Sequence, residues 1–343
     1  MRKLLFAIAL LLAVFFVIGR MAEVHVILDT LRQADVKFIL LAVGVQILWY
    51  FNAGANLKVI YEILEMEETV PRLALMSAAA AFISTVAPSG GMSGLSVYVT
   101  EARQRKSSVG RATIAGVLFM FFEYLGFLVV LALGLIVFIR RNSITAAEIS
   151  ASVLMALLAG GMGALLYLGT YSGPLLGKVL GGLAHLINSI LWPILHRPYL
   201  SEEKARIFAV DAAEGLKALR RAPHRAFLPA LLGITSKALQ LLIMWLSFLA
   251  FHVPCSPGTV VGGYTVAYLF LVISPTPGGI GIVEGVLAVT LNTLNVPLGK
   301  AAVVALTYRA ITIWLPLLLG PLALRILPHL PPPKSFDSPP PQE

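Results

Sequence analysis

The chain has 343 residues, of which 58% are hydrophobic and 13% charged. A soluble domain carries about 25% charged residues, so this composition excludes an ordinary water-soluble enzyme and requires lipid around most of the chain. The net charge of +9 lies in loops between apolar runs without interleaved aromatics, which points to anionic headgroups and excludes a nucleic-acid groove.

The single Cys255 rules out an internal disulfide, and six scattered histidines offer no metal-ligand spacing. Neither a metal nor a cofactor is expected.

A membrane helix needs about 20 apolar residues. In chain order, the first run is 4–19, behind Arg2 and Lys3. No small-x-small cleavage site follows it; the sequence reads Ile18-Gly19-Arg20-Met21, so an uncleaved span is expected. The second run is 38–57. Its Asn52 and Asn56 lie one turn apart and are expected either to bond between helices or to line a cavity. A third stretch, 73–100, is broken by Ala87-Pro88-Ser89-Gly90-Gly91-Met92-Ser93-Gly94. The run 112–139 carries Glu123 at its middle. The run 151–170 carries Gly160, Gly161 and Gly163, which permit close helix packing.

Residues 171–225 read as a polar cytoplasmic loop holding an amphipathic helix over 201–221. Ser201 suits its N-cap, and Phe208, Ala212, Leu216 and Leu219 share one face. That helix either lies on the inner leaflet or is a solvated linker. The run 226–251 carries Lys237. The stretch 259–295 is broken by Ser274-Pro275-Thr276-Pro277-Gly278-Gly279-Ile280-Gly281, with Glu284 just beyond. The last run, 301–324, carries Tyr308 and Arg309, and a Pro-rich tail, 328–343, reads as disordered. Trp49, Trp192, Trp245 and Trp314 fit interfacial or packing positions as well as ligand contacts.

The breaks decide the architecture. Proline removes an amide donor, and glycine pairs favour non-helical backbone. Such backbone is tolerated at membrane depth only inside protein or along a wet cavity. Charge distribution supports two re-entrant hairpins. If each broken stretch enters and leaves on one side, most loop Lys and Arg gather inside with the N-terminus: Arg2, Lys3, the 58–72, 101–111 and 171–225 loops, and the tail. If each crosses once, most fall outside.

The expected fold is therefore all-α: a polytopic membrane helix bundle with two broken, re-entrant hairpins. It forms one transmembrane domain over 1–327, with halves of about 1–140 and 151–327 in an inverted repeat. Both termini are expected in the cytoplasm of a plasma-membrane protein. Paired Gly/Pro interruptions mark a transporter-type site. The intramembrane charges Glu123, Lys237, Glu284 and Arg309 either lock helices as ion pairs or face a pathway. No GxSxG elbow, phosphate-binding loop or nucleophile–base pair is present, so no enzyme activity is expected.

The run Pro275-Thr276-Pro277-Gly278-Gly279-Ile280-Gly281-Ile282-Val283-Glu284, then Val296-Pro297 and Tyr308-Arg309, resembles the transmembrane flippase region of lysylphosphatidylglycerol synthases and its stand-alone relatives. Ala87 to Gly94 is a looser second match, and the likeness extends over about 5–325. Ser93-Gly94-Leu95 stands where relatives often carry an acid; Glu101 comes later. The resemblance implies translocation of a polar lipid between leaflets. By that likeness Gly278, Gly279, Gly281, Glu284 and Arg309 are pathway positions. Read from the residues, Pro88, Gly90, Gly91, Ser93, Gly94, Pro277, Gly278, Gly279 and Gly281 are the break motifs, and Glu123, Lys237, Glu284, Tyr308 and Arg309 are the expected substrate pathway. No aminoacyl-transferase domain lies within the sequence, so synthesis of lysylphosphatidylglycerol is not expected. The expected partners are membrane lipids, anionic or polar phospholipids or lipid-linked sugars. An accessory role, presenting a lipid-linked substrate to a separate glycosyl- or aminoacyl-transferase, is the alternative, and a homodimer is compatible with either.

Overall fold

The computed structural model describes residues 34–87, 92–105, 107–141, 146–195 and 219–330, with scattered positions between 203 and 217. The 4–19 span, Pro88, Gly90, Gly91, most of the 201–221 helix and the tail beyond Leu330 lie outside the described residues.

The described chain is helical: α1 Val36–Ile63, α2 Val70–Val86, α3 Leu95–Gln104, α4 Val109–Arg140, α5 Ala146–Tyr171, α6 Gly173–Leu195, α7 Phe227–Ala250, α8 Pro257–Ile273, α9 Ile282–Thr293, α10 Leu298–Arg309 and α11 Leu315–Ile326. Among the described residues, five segments are long and apolar enough to cross a membrane: Val36–Ile63, Val109–Arg140, Glu148–Tyr171, Pro223–Ala250 and Leu298–His329. They coincide with the unbroken runs read from the sequence. The two broken stretches give shorter helices, α2 and α8, each followed, among the described residues, by a 3-10 turn (Met92–Gly94 and Pro277–Gly279) and a shorter return helix.

Helix starts follow local chemistry. Asp35 accepts from the Lys37 amide at 3.0 Å, Ser108 from the Arg111 amide at 3.2 Å, and Ser256 from the Thr259 amide at 3.1 Å, each satisfying an orphan donor. Pro257 occupies the first turn of α8, where its missing N–H costs nothing.

Element boundaries in the two halves recur at a constant spacing of 187 residues. Val70 and Val86 bound α2, and Pro257 and Ile273 bound α8; α1 ends at Ile63 and α7 at Ala250; α3 begins at Leu95 and α9 at Ile282. The left-handed turn after α1 falls at Glu65 (φ 56°) and the turn after α7 at its counterpart, His252 (φ 52°). The backbone geometry thus matches at positions whose side chains differ.

Each short pair folds back on itself. At the base of α2 and α3, Arg72 meets Glu101 at 2.6 Å; nearby, Arg111 near the start of α4 donates to the Leu64 carbonyl at 3.4 Å. At the base of α8 and α9, Arg141, just past the end of α4, donates to the Leu294 carbonyl (3.1 Å) and the Ser256 hydroxyl (3.0 Å). Between these two bases runs α4, whose 32 residues span about 48 Å.

The halves interlock. α1 lies along α7, and α4 crosses α7 closely enough that a Cβ at Gly126 would strike the Gly233 carbonyl. Two large apolar cores result, beside a smaller cluster of Phe138, Val266 and Leu294. One holds Phe127, Tyr264, Leu287 and Ile311; the other holds Leu57, Leu73, Leu118 and Ala323. The outer surface is apolar as well: Leu40, Leu157, Phe227 and Leu318 are each at least 65% exposed, as a lipid-facing surface requires.

Several sequence expectations need correction. Residues 171–225 are not a loop throughout: α6 occupies Gly173–Leu195, started by Ser172, whose hydroxyl accepts from the Leu175 amide at 3.3 Å. One lysine in 23 residues, Lys178, leaves this stretch apolar enough to be a helix against the bundle. Ala212 and Leu216 are fully buried in the second core, so these two positions of the expected apolar face pack on the protein. Gly160 and Gly161 have no neighbour within 4 Å; only Gly163 approaches another helix, at Phe121. The start of the tail is fixed: Leu327–His329 form a turn of 3-10 helix, and the Leu330 carbonyl accepts from Arg72 and Arg105.

Candidate functional site

The second break is built by its own residues. Pro275 and Pro277 cannot donate, and Ser274 and Thr276 join hydroxyls at 2.9 Å across the turn. Gly278, Gly279 and Gly281 all take left-handed φ (58°, 72° and 85°), which costs other residues roughly 1–2 kcal/mol each. Glu284 then starts α9: its Oε2 accepts from the Gly281 amide at 2.7 Å, where the helix dipole favours a carboxylate.

Arg309 closes the arrangement from α10. Its Nε donates to Glu284 Oε1 at 3.0 Å and an Nη donates to the Gly278 carbonyl. The guanidinium is 5% exposed and so clamps otherwise unsatisfied backbone. A π-helical turn, Ala310–Trp314, follows immediately. Such single turns accommodate one extra residue and often sit at functional positions.

The second intramembrane pair joins α4 to α7. Lys237 Nζ lies 2.6 Å from Glu123 Oε2, 3.3 Å from the Tyr268 hydroxyl and over the Tyr268 ring. Ser236 donates to the same Oε2 at 2.9 Å and accepts from Trp49 Nε1 at 2.7 Å. Glu123 Oε1 is buried with no hydrogen-bond partner. In the 187-residue register Glu123 corresponds to Ala310, the neighbour of Arg309 and the first residue of the π turn, so similar places in the two halves carry opposite charges.

Between these features lies a cavity of about 270 Å³. Ser84, Thr85 and Gly94 border it from the first broken pair, and Ser274, Thr276 and Gly278 from the second. The two come close together: a Cβ on Gly278 would lie 2.8 Å from Thr85 Cγ2. Around the first break, Gly94 donates to Ser84 Oγ at 3.1 Å, and Ser93 donates to the Ile83 and Ala87 carbonyls, both at 3.3 Å.

Residues 4–320 match the family of the lysylphosphatidylglycerol synthase TM region. The chain belongs to this family. It is accordingly a multi-pass membrane protein. Over 96 residues it is also 31% identical to the UPF0104 membrane protein MJ1595 of Methanocaldococcus jannaschii. That stretch covers 28% of this chain and 29% of the relative, so the chain matches under a third of the relative's length.

Of the residues singled out from the sequence, this family member brings Glu123 to Lys237 and Glu284 to Arg309. Glu123, Tyr308 and Arg309 border the cavity; Lys237, 1% exposed, and Glu284 stand behind it. Asn52 does bond between helices, to the Leu232 carbonyl at 3.0 Å, whereas Asn56 is fully buried with neither polar atom paired. Trp49 is a bonded residue of the site, while Trp245 and Trp314 are about half exposed or more.

Sequence reasoning missed Tyr98, Tyr124, Gln240 and Tyr268, all of which border the cavity. The spacing of Tyr264 and Tyr268, one turn apart on α8, was the available signal. It also missed a second charge cluster outside the spans. Arg72 and Arg105 surround Glu68 and Glu101, with Arg72–Glu68 at 3.5 Å and Arg105–Glu68 and Arg105–Glu101 both at 3.7 Å. Burial pushes the Glu68 carboxyl up and Arg105 down from their ordinary values, against the opposing pull of their partners.

Proposed function

We propose that this protein carries the polar headgroup of a membrane lipid between leaflets, through the cavity between the two broken helical pairs. The observation that carries the reading is the convergence of both breaks and of both intramembrane ion pairs on one cavity. In this reading the α2–α3 and α8–α9 pairs are re-entrant hairpins entering from opposite faces of a plasma membrane, with the N-terminus inside. Their bases at opposite ends of α4 support it, as does the 187-residue repeat.

Lipid tails need no protein route, because they remain in hydrocarbon. The headgroup does, since polar groups are costly there. The cavity offers hydroxyls, an amide and two compensated charges along such a route. The membership of the family is consistent with a lipid-related role.

The test is reconstitution into vesicles with fluorescent lipids, following loss of inner-leaflet protection from a membrane-impermeant quencher. Wild type is expected to exceed empty vesicles, and Arg309→Ala and Glu284→Gln to fall toward them. Equal rates for all four overturn the proposal. Retention of lipid with no movement favours presentation to a separate transferase.

A further inference from the structure

We infer that the headgroup portion held in this cavity is neutral and rich in hydroxyls, a glycosyl or other polyol group. This inference rests on the lipid-translocation reading and specifies its cargo. Two charged side chains border the cavity among the described residues, Glu123 and Arg309. Both are already neutralised, Glu123 by Lys237 at 2.6 Å and Arg309 by Glu284 at 3.0 Å. Arg309 is committed twice over, because the Gly278 carbonyl also accepts from it. An anionic phosphate in the cavity would have to pull Arg309 off Glu284 and the broken backbone. A lone ammonium at Glu123 would set a second cation against the one carboxylate that Lys237 already neutralises. Either arrangement leaves a buried charge uncompensated, which low-dielectric surroundings penalise heavily.

What the pocket leaves open is uncharged hydrogen bonding. Glu123 borders the cavity and its Oε1 is buried without a partner, so an O–H donor that reaches it leaves the ion pair at Oε2 intact. Gln240 gives its oxygen to the Tyr264 hydroxyl at 3.0 Å, which turns its amide N–H groups into the remaining donors. Tyr98, Tyr268 and Trp49 border the same space. Carboxylate, amide and aromatic faces together are what a hydroxylated ring requires: donors on its rim bond the polar groups, and its C–H faces stack on the rings.

The test measures binding separately from movement. Wild-type protein is purified in nanodiscs holding equal parts of a glucosyl diacylglycerol, phosphatidylglycerol and phosphatidylethanolamine. Lipids retained after transfer to a mild, sugar-free detergent are then quantified by native mass spectrometry. The glucosyl lipid is expected to be enriched about tenfold over the other two, the discrimination available from one hydrogen bond to a charged acceptor. Gln240→Leu and Tyr268→Phe, which change no charge, are expected to reduce that enrichment several-fold, with circular dichroism and gel filtration checking that each variant is folded. Preferential retention of phosphatidylglycerol or phosphatidylethanolamine overturns the inference, as does equal retention of all three, or enrichment unaffected by both variants. Glucosyl lipid retained but never moved in vesicles overturns translocation and leaves this inference standing; phosphatidylglycerol moved with no glucosyl lipid retained does the reverse.

Discussion

The two intramembrane ion pairs have the same chemistry and different surroundings. Glu284–Arg309 is tied to main chain at both ends: the carboxylate accepts from the Gly281 amide, and the guanidinium donates to the Gly278 carbonyl. Glu123–Lys237 is held by side chains alone, Ser236 of α7 with Trp49 of α1 behind it and Tyr268 of α8, and keeps one oxygen unpaired. The first pair therefore holds a broken backbone in shape. The second pair holds two helices together while presenting an acceptor. An intramembrane charge pair is thus classified by what its remaining lone pairs and protons touch, rather than by its residue types.

The largest expected effect separates the two pairs by removing their cations. Arg309→Met leaves Glu284 unpaired and the Gly278 carbonyl orphaned, and is expected to cost about 3–5 kcal/mol in equilibrium unfolding in detergent. The second replacement, Glu284→Gln in the same chain, is expected to recover little, because the backbone groups stay unsatisfied. Next comes Lys237→Met, expected to cost about 3 kcal/mol by stranding Glu123. Here Glu123→Gln in the same chain should recover most of the loss, since no main-chain group depends on the pair. Equal recovery in both double mutants would erase the distinction.

A smaller effect is expected at the break itself. Gly278→Ala combines a left-handed φ of 58° with a Cβ 2.8 Å from Thr85, and should cost about 1–2 kcal/mol in the same unfolding measurement. No measurable loss would mean that the break is looser than its hydrogen bonds indicate. The smallest effect calibrates the others outside the spans. Burial raises the Glu68 carboxyl, so its ionisation opposes folding: its contribution to stability is present below the ordinary carboxylate range and is lost as pH rises through its raised value. Glu68→Gln should therefore flatten the stability–pH profile above that range, by about 1 kcal/mol or less, and a steeper profile would contradict the assignment.

Much of this was legible in the sequence because hydropathy and helix breakers report directly on solvent and backbone. Five apolar runs became membrane-length helices, and the second Pro/Gly stretch became a break in the helix at 274–281. The four intramembrane charges stood out because each interrupts an apolar run. Their pairing was not legible, since it depends on which helices cross: Glu123 meets Lys237 because Gly126 and Gly233 let α4 and α7 approach. Gln240, Tyr98 and Tyr268 carry no signal on their own, because polar and aromatic residues in membrane helices serve packing as often as sites. The helix α6 was missed because Ser172, Lys178, His185 and Asn188 gave the segment a polar reading beside the charged stretch that follows.

The central claim, that a lipid headgroup occupies the cavity between the two breaks, is tested most directly by photolabelling. A lipid with a diazirine on its headgroup is activated in membranes containing the wild-type chain, and the adducts are mapped by mass spectrometry. The account predicts adducts on cavity residues such as Glu123, Tyr98, Tyr124 and Tyr268, reduced by an excess of unlabelled lipid. Adducts confined to outward residues such as Leu40, Leu157 and Leu318, or to the loops, would contradict it.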